Sequence, residues 1–195
     1  MCIRDSANHI PDPFDHQVVE AYWLGNHLLD NISPKTLYRH TTDLLQITKK
    51  MDPRSMDMIK TKIAAGGLMH HSFHVLNLWD HKKFFNKENN LSELDKRRIS
   101  AGRVTKVDGP YITLKRKPLT IDQQNKLSLG SPLSTKILRR LEGSSLLDNV
   151  QVGNFVSLHW DSPCEIITAQ QYKNLNYYTS LSIKLANLSP APVYA

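Results

Sequence analysis

The stretch Val150-Gln-Val-Gly-Asn-Phe-Val-Ser-Leu-His-Trp-Asp-Ser-Pro-Cys164 decides how the rest of the chain is read. Gly153-Asn154 is a turn signal, because both residue types tolerate positive φ. Residues 155–160 follow as a strand, with Phe155, Ser157 and His159 on one face and Val156, Leu158 and Trp160 on the other. The end of that strand is polar. His159, Asp161 and Cys164 place three groups with ligand or acid–base chemistry within six residues.

Period-two patterning extends on the N-terminal side of this stretch. Residues 99–107 and 111–117 form a hairpin across Asp108-Gly109, a favoured turn dipeptide. Residues 119–129 have a polar middle, Asp122 to Asn125, and read as two short strands around a turn. Residues 134–141 are a further strand, broken by Glu142-Gly143-Ser144-Ser145. On the C-terminal side, Thr168-Ala-Gln-Gln171 has the capping-box form and starts a helix. Tyr172, Leu175, Tyr178, Leu181 and Leu185 form its inward stripe, and Ser189-Pro190 ends it. Short strands joined by tight turns suit a small barrel.

The first half is patterned differently. Asp12-Pro13, Ser33-Pro34 and Asp52-Pro53 each put a capping acceptor before a proline suited to the first helical position. The helices they announce cover residues 13–24, 34–49 and 53–64, the last stopped by Gly66-Gly67. Gly25-Asn26 interrupts the first before residues 27–30. The next stretch, Met69-His-His-Ser-Phe-His-Val-Leu-Asn-Leu-Trp-Asp-His81, is rich in histidine. Its β-branched and aromatic content predicts an extended segment over 72–78, although His70 and His74 would share one face of a helix. Residues 82–90 are a polar loop, and Ser92-Glu-Leu-Asp95 has capping-box form for one helical turn. The expected fold is α+β, with a helical region over 1–95 and an OB-like β-barrel with a C-terminal helix over 96–195. Residues 1–6 read as an appended stretch, with the natural start expected further upstream.

Two stretches carry a resemblance. Gly102-Arg-Val-Thr-Lys-Val-Asp-Gly109 and Val152-Gly-Asn-Phe-Val-Ser-Leu-His159 resemble the opening strand and the His-closed strand of the small HypC/HupF chaperones of nickel–iron hydrogenase maturation. Residues 168–188 resemble the helix behind that barrel. The likeness covers residues 98–188 and has no counterpart over 1–97. The chain as a whole resembles an uncharacterised bacterial and archaeal family carrying such a barrel behind a helical region. This likeness implies a non-enzymatic accessory or chaperone-like role in metalloenzyme maturation, with a metalloenzyme precursor or assembly factor as protein partner. Those chaperones hold an iron fragment with a Cys at their N-terminus. The matching position here is Arg97, and Cys2 lies far from it in sequence.

Composition narrows the alternatives. No apolar run approaches the roughly 18 residues that span a bilayer. With Cys2 set aside, Cys164 is the one thiol, so no internal disulfide framework is expected and a cytoplasmic location follows. The net charge of +7 invites an RNA-binding barrel as an alternative. The basic residues are dispersed, however, in runs no longer than Lys96-Arg97-Arg98 and Lys115-Arg116-Lys117, which argues for a solvated surface.

The other alternative is a metal-dependent enzyme or metal carrier. His71, His74, His159, Asp161 and Cys164 carry the imidazole, carboxylate and thiol donors that transition metals bind. A shared site requires the 69–79 segment to lie against the end of the 155–160 strand, for instance as an added edge strand. Their spacing fits no established zinc motif. Each also has a plain reading: His74 as a hydrogen-bonded core imidazole, Cys164 as a small apolar side chain, Trp79 and Trp160 as packing aromatics. Ser72, His159 and Asp161 lack the nucleophile elbow that a hydrolase triad would need.

Overall fold

The computed structural model describes residues 8–44, 52–78, 89–139 and 147–188. The fold is α+β, with helices first, antiparallel sheets next, and a long C-terminal helix. The expected residues 1–6, the end of the second helix, most of the 82–90 loop and the 142–145 break lie outside the described residues.

Helix α1 spans His16–Trp23, three residues inside the expected start. Asp12 turns its carboxylate onto the Phe14 amide instead, and Asp15 becomes the cap by accepting from Gln17 N. Gly25, at φ +90°, ends the helix, and Asn26 caps the short 3-10 turn His27–Leu29. Helix α2 covers Pro34–Arg39 and widens into a π turn over His40–Leu44, where the Thr41 and Thr42 hydroxyls donate back to the Leu37 and Tyr38 carbonyls. Helix α3, Pro53–Ala64, matches its sequence signals at both ends.

The histidine-rich segment is not extended. It forms one turn of helix, α4 (His71–Phe73), followed by a π turn over His74–Leu78. His70 supplies the unexpected cap, its Nδ1 accepting from Ser72 N at 3.1 Å. Most of the segment is buried, with His71 and His74 partly so, and its apolar residues therefore do not alternate. Ser72 shares a hydrogen bond with Thr179, and Asn77 donates to the Ser182 carbonyl. Burial, not strand alternation, therefore set its composition. Helix α5, Asn89–Arg97, starts about one turn earlier than the capping-box reading implied.

The strands are β1 (Ser100–Asp108), β2 (Tyr111–Arg116), β3 (Leu119–Ile121), β4 (Leu127–Leu129), β5 (Leu133–Leu138), β6 (Phe155–His159) and β7 (Ser162–Ile167). Five of them form one antiparallel sheet in the order β5-β2-β1-β6-β7, while β3 and β4 form a separate hairpin. The sheet curls until β5 and β7 approach each other, but it stays open and is not a closed barrel. Curling comes from β1, whose register shifts between Val104 and Lys106. At Gly102 a Cβ would lie 2.7 Å from the Lys115 carbonyl oxygen, so only glycine lets the strands close so tightly there. Strand β7 escaped the sequence reading because its turn, Trp160-Asp161, contains no glycine, and Pro163 looked like loop. At a sheet edge Pro163 forfeits no ladder bond.

Helix α6, Ala169–Ala186, has the full reciprocal capping box of Thr168 and Gln171. It joins the halves. Tyr178 and Leu185 enter the core of the N-terminal helices with Val18, Leu29 and Phe73. Leu175 packs with Leu24, Ile99 and Ile167, and Ile183 with Leu76, Leu94 and Leu119. The inner face of the sheet holds its own cluster around Val104, Ile112, Leu114, Val156 and Leu158.

Gly25 is where helix and chain come closest. A Cβ there would sit 2.0 Å from the Tyr178 ring, on top of the positive φ. At Gly153, φ is +96° but the nearest atom to an added Cβ is Arg103 Nη2 at 3.8 Å. Gly25→Ala should therefore cost roughly 2–4 kcal/mol in urea denaturation, and Gly153→Ala only about 1 kcal/mol. Equal losses, or the reverse order, would contradict the packing described for α6.

Candidate functional site

The β6–β7 turn and the end of α5 hold each other in place. Trp160 and Asp161 both have positive φ, +53° and +58°, as a two-residue type I′ hairpin turn requires. A bulky residue is strained in that region, so neighbours must hold it. Trp160 N donates to the Lys96 carbonyl at 2.8 Å. The Arg97 guanidinium lies 5.3 Å from the Trp160 ring centroid, and Asp161 meets Lys96 Nζ at 3.1 Å. Just before Lys96, buried Asp95 accepts from Arg98, Arg116 and Leu119 N, which anchors α5 to the sheet.

Around that joint lies an aromatic cluster. Trp23 packs against His71 at 4.5 Å and His159 at 5.5 Å between centroids, and His71 meets His159 edge-on at 5.3 Å. His71 and His159, expected from sequence to share a surface, do so. The route is different: α4 reaches the strand end as a helical turn beside α5, not as an added strand.

Hydrogen-bond inventory fixes the protons in this cluster. His71 Nε2 is 2.9 Å from the Arg97 carbonyl, which can only accept, so Nε2 carries hydrogen. Burial, outweighing the favourable carbonyl, lowers the His71 pKa to about 4, so the ring is neutral and its Nδ1 accepts. Tyr22 Oη, 3.3 Å away, donates to it. That uses the single Tyr22 proton, and His74 Nδ1 must donate to Tyr22 Oη across 3.0 Å. Burial raises Tyr22 to about 12, keeping its proton in place. His159 faces the same Arg97 carbonyl, while burial holds its pKa below the ordinary value. His70 is fully enclosed, stacked 5.3 Å from Tyr178, and burial lowers it to about 3. Its Nε2 points towards the Leu24 carbonyl without reaching hydrogen-bonding geometry.

These five sequence candidates do not assemble as one metal centre. His71 has both ring nitrogens engaged, and His74 is held by Tyr22. Asp161 turns to Lys96 and Arg116. The Cys164 thiol, raised by desolvation and then by the Glu165 charge, lies near the Ser162 carbonyl at 3.8 Å. Among the described residues, no group of three or more His, Cys, Asp or Glu converges to hold a metal ion.

What sequence reasoning missed is a cleft of about 570 Å³ between α1 and the β6–β7 hairpin, lined by Glu20, Trp23, Ser157, His159, Cys164 and Glu165 among others. Gln171 Nε2 donates to Glu20 Oε2 at 2.7 Å and Asn26 Nδ2 to Oε1 at 3.3 Å, so the Glu20 carboxylate is fixed. Gln171 stands 151 positions from Glu20, and no local spacing could have revealed the pairing.

The buried histidines make stability pH-dependent. Folded His70 and His71 titrate near 3 and 4, against an ordinary value of 6.5. Between those values the unfolded chain binds more protons, so stability falls as pH is lowered through 6.5 towards 4. Chemical denaturation at pH 7 and pH 5 should show a loss on the order of a few kcal/mol. His70→Gln should flatten that slope; an unchanged slope would contradict burial of a neutral ring there.

Residues 3–192 match the model of the family described as Family of unknown function (DUF6390). No curated protein and no solved structure matches the chain. No helix among the described residues is long and apolar enough to cross a membrane. The match spans nearly the whole chain, helical half and sheet half alike, and the chain belongs to the DUF6390 family.

Proposed function

We propose that this chain is an accessory, chaperone-like protein that holds a protein partner, a metalloenzyme precursor or assembly factor, during maturation. The observation that carries the reading is the pairing of the two stretches that resemble the HypC/HupF chaperones. They are adjacent strands, with Gly102 opposite Val156 and Arg103 opposite Phe155. Gly153 N and Val104 N donate across the same junction to the Val104 and Asn154 carbonyls. Arg97, at the position matched to the chaperones' iron-holding Cys, sits where α4 and the end of β6 meet. An arginine in place of that thiol favours a holding role over a carrier of metal.

The docking surface in this reading is the β5 edge. No described strand pairs beyond it, and Leu133 and Leu138, at its two ends, are 57% and 41% exposed, Leu138 opposite half-exposed Tyr111. Exposed apolar groups on an open edge suit a partner that adds a strand. A cytoplasmic location goes with this reading, because the exposed Cys164 thiol suits a reducing compartment.

Affinity capture from a hydrogenase-containing host tests it. The wild-type chain should recover a metalloenzyme subunit or its assembly factor. Leu133→Asp with Leu138→Asp should keep the melting temperature and lose at least about tenfold of that capture. Recovery of no metalloenzyme or assembly component, or equal capture by the double variant, would overturn the reading.

A further inference from the structure

The cleft between α1 and β6–β7, about 570 Å³ and open to solvent on one side, is of a size that accommodates a small ligand. It lies on the opposite edge of the sheet from β5. Its chemistry is one-sided. Glu20 stands on the α1 wall and Glu165 on the β7 wall. Neither carboxylate has a Lys or Arg within ion-pair distance among the described residues, although the chain carries a net charge of +7. Glu20 is fixed by two amide donors, both of them neutral, so its charge is oriented and not cancelled. Partial burial, and then the charge of Glu20, raise the Glu165 carboxyl above the ordinary value. Two like charges lining one cleft repel, and a cation between them would relieve the repulsion.

The remaining lining selects the kind of cation. Trp23, Val19 and Ile99 give the cleft apolar and aromatic walls. Such walls are wasted on a bare metal ion, and among the described residues no three donors converge there. His159 is held neutral by burial, so it does not compete as an internal cation. A planar, weakly hydrated cation with a hydrocarbon arm satisfies both features, stacking on aromatic surface while meeting carboxylates edge-on.

We infer that this cleft is a binding site for a guanidinium group on an alkyl chain, clamped between Glu20 and Glu165 with its arm against Trp23. The guanidinium can belong to a small molecule or to an arginine side chain of another protein. The inference does not rest on the proposed partner at the β5 edge.

Calorimetric titration of the full chain with butylguanidinium and with butylurea, its uncharged counterpart of equal shape, tests the site. Saturable butylguanidinium binding, at least about tenfold tighter than butylurea, is the expected result. Glu165→Gln should weaken butylguanidinium at least about tenfold, with an unchanged melting temperature, because that carboxylate makes no hydrogen bond among the described residues. Butylguanidinium should also slow alkylation of Cys164, read on its own peptide by mass spectrometry, and butylurea should not. Nα-acetyl-arginine amide binding more tightly than butylguanidinium identifies an arginine side chain as the natural group; the reverse order identifies a small molecule. Equal binding of butylguanidinium and butylurea, no saturable binding up to about 10 mM, or undiminished binding to Glu165→Gln would overturn the inference.

Discussion

Alongside the packing of α6, the two halves are joined at the last carbonyls of α5. Helix termini leave carbonyls without intrahelical partners, and such groups must be satisfied when buried. Here the Lys96 carbonyl takes the Trp160 amide, and the Arg97 carbonyl takes His71. One donor comes from the turn after β6 and the other from the helical half. A chain end that would otherwise need water or a glycine cap has become a joint. The strained left-handed pair Trp160-Asp161 is tolerable because the same helix end holds it from three directions.

The aromatic cluster follows from that constraint. Once His71 is committed to Arg97, its tautomer is set, Tyr22 must donate to it, and His74 must donate to Tyr22. Each of these side chains sits where burial penalises charge, so the row of histidines that suggests metal chemistry in the sequence is a neutral hydrogen-bonded seam in the fold. Beside it lies the cleft, where Glu20 and Glu165 stand without cationic partners among the described residues.

How much of this was legible depends on whether the signal is local. The proline-capped helix starts at Pro34 and Pro53, the Asp108-Gly109 hairpin, the strand from Phe155 and the capping box at Thr168 are local and appear as expected, whereas Asp12-Pro13 yields its capping role to Asp15. The segment around Ser72 does not appear as expected, because burial of most of its residues erases the periodicity that distinguishes strand from helix. Barrel closure was beyond sequence, since it depends on how far a bulge and one close glycine curl the sheet. At the site, the approach of His71 to His159 could be anticipated from their chemistry, but the acceptor that brings His71 there is a backbone carbonyl, which any residue supplies. Glu20, Gln171 and Glu165 come from separate elements, and only the packing of α6 against α1 brings them together.

The most direct test of this account is the protonation state of His71. Nitrogen-15 imidazole shifts across a pH titration report tautomer and charge separately. The structure requires a neutral His71 ring with hydrogen on Nε2, staying neutral from pH 7 down to about 4. A His71 that titrates near 6.5, or that carries its hydrogen on Nδ1 at neutral pH, would contradict the joint described at the end of α5.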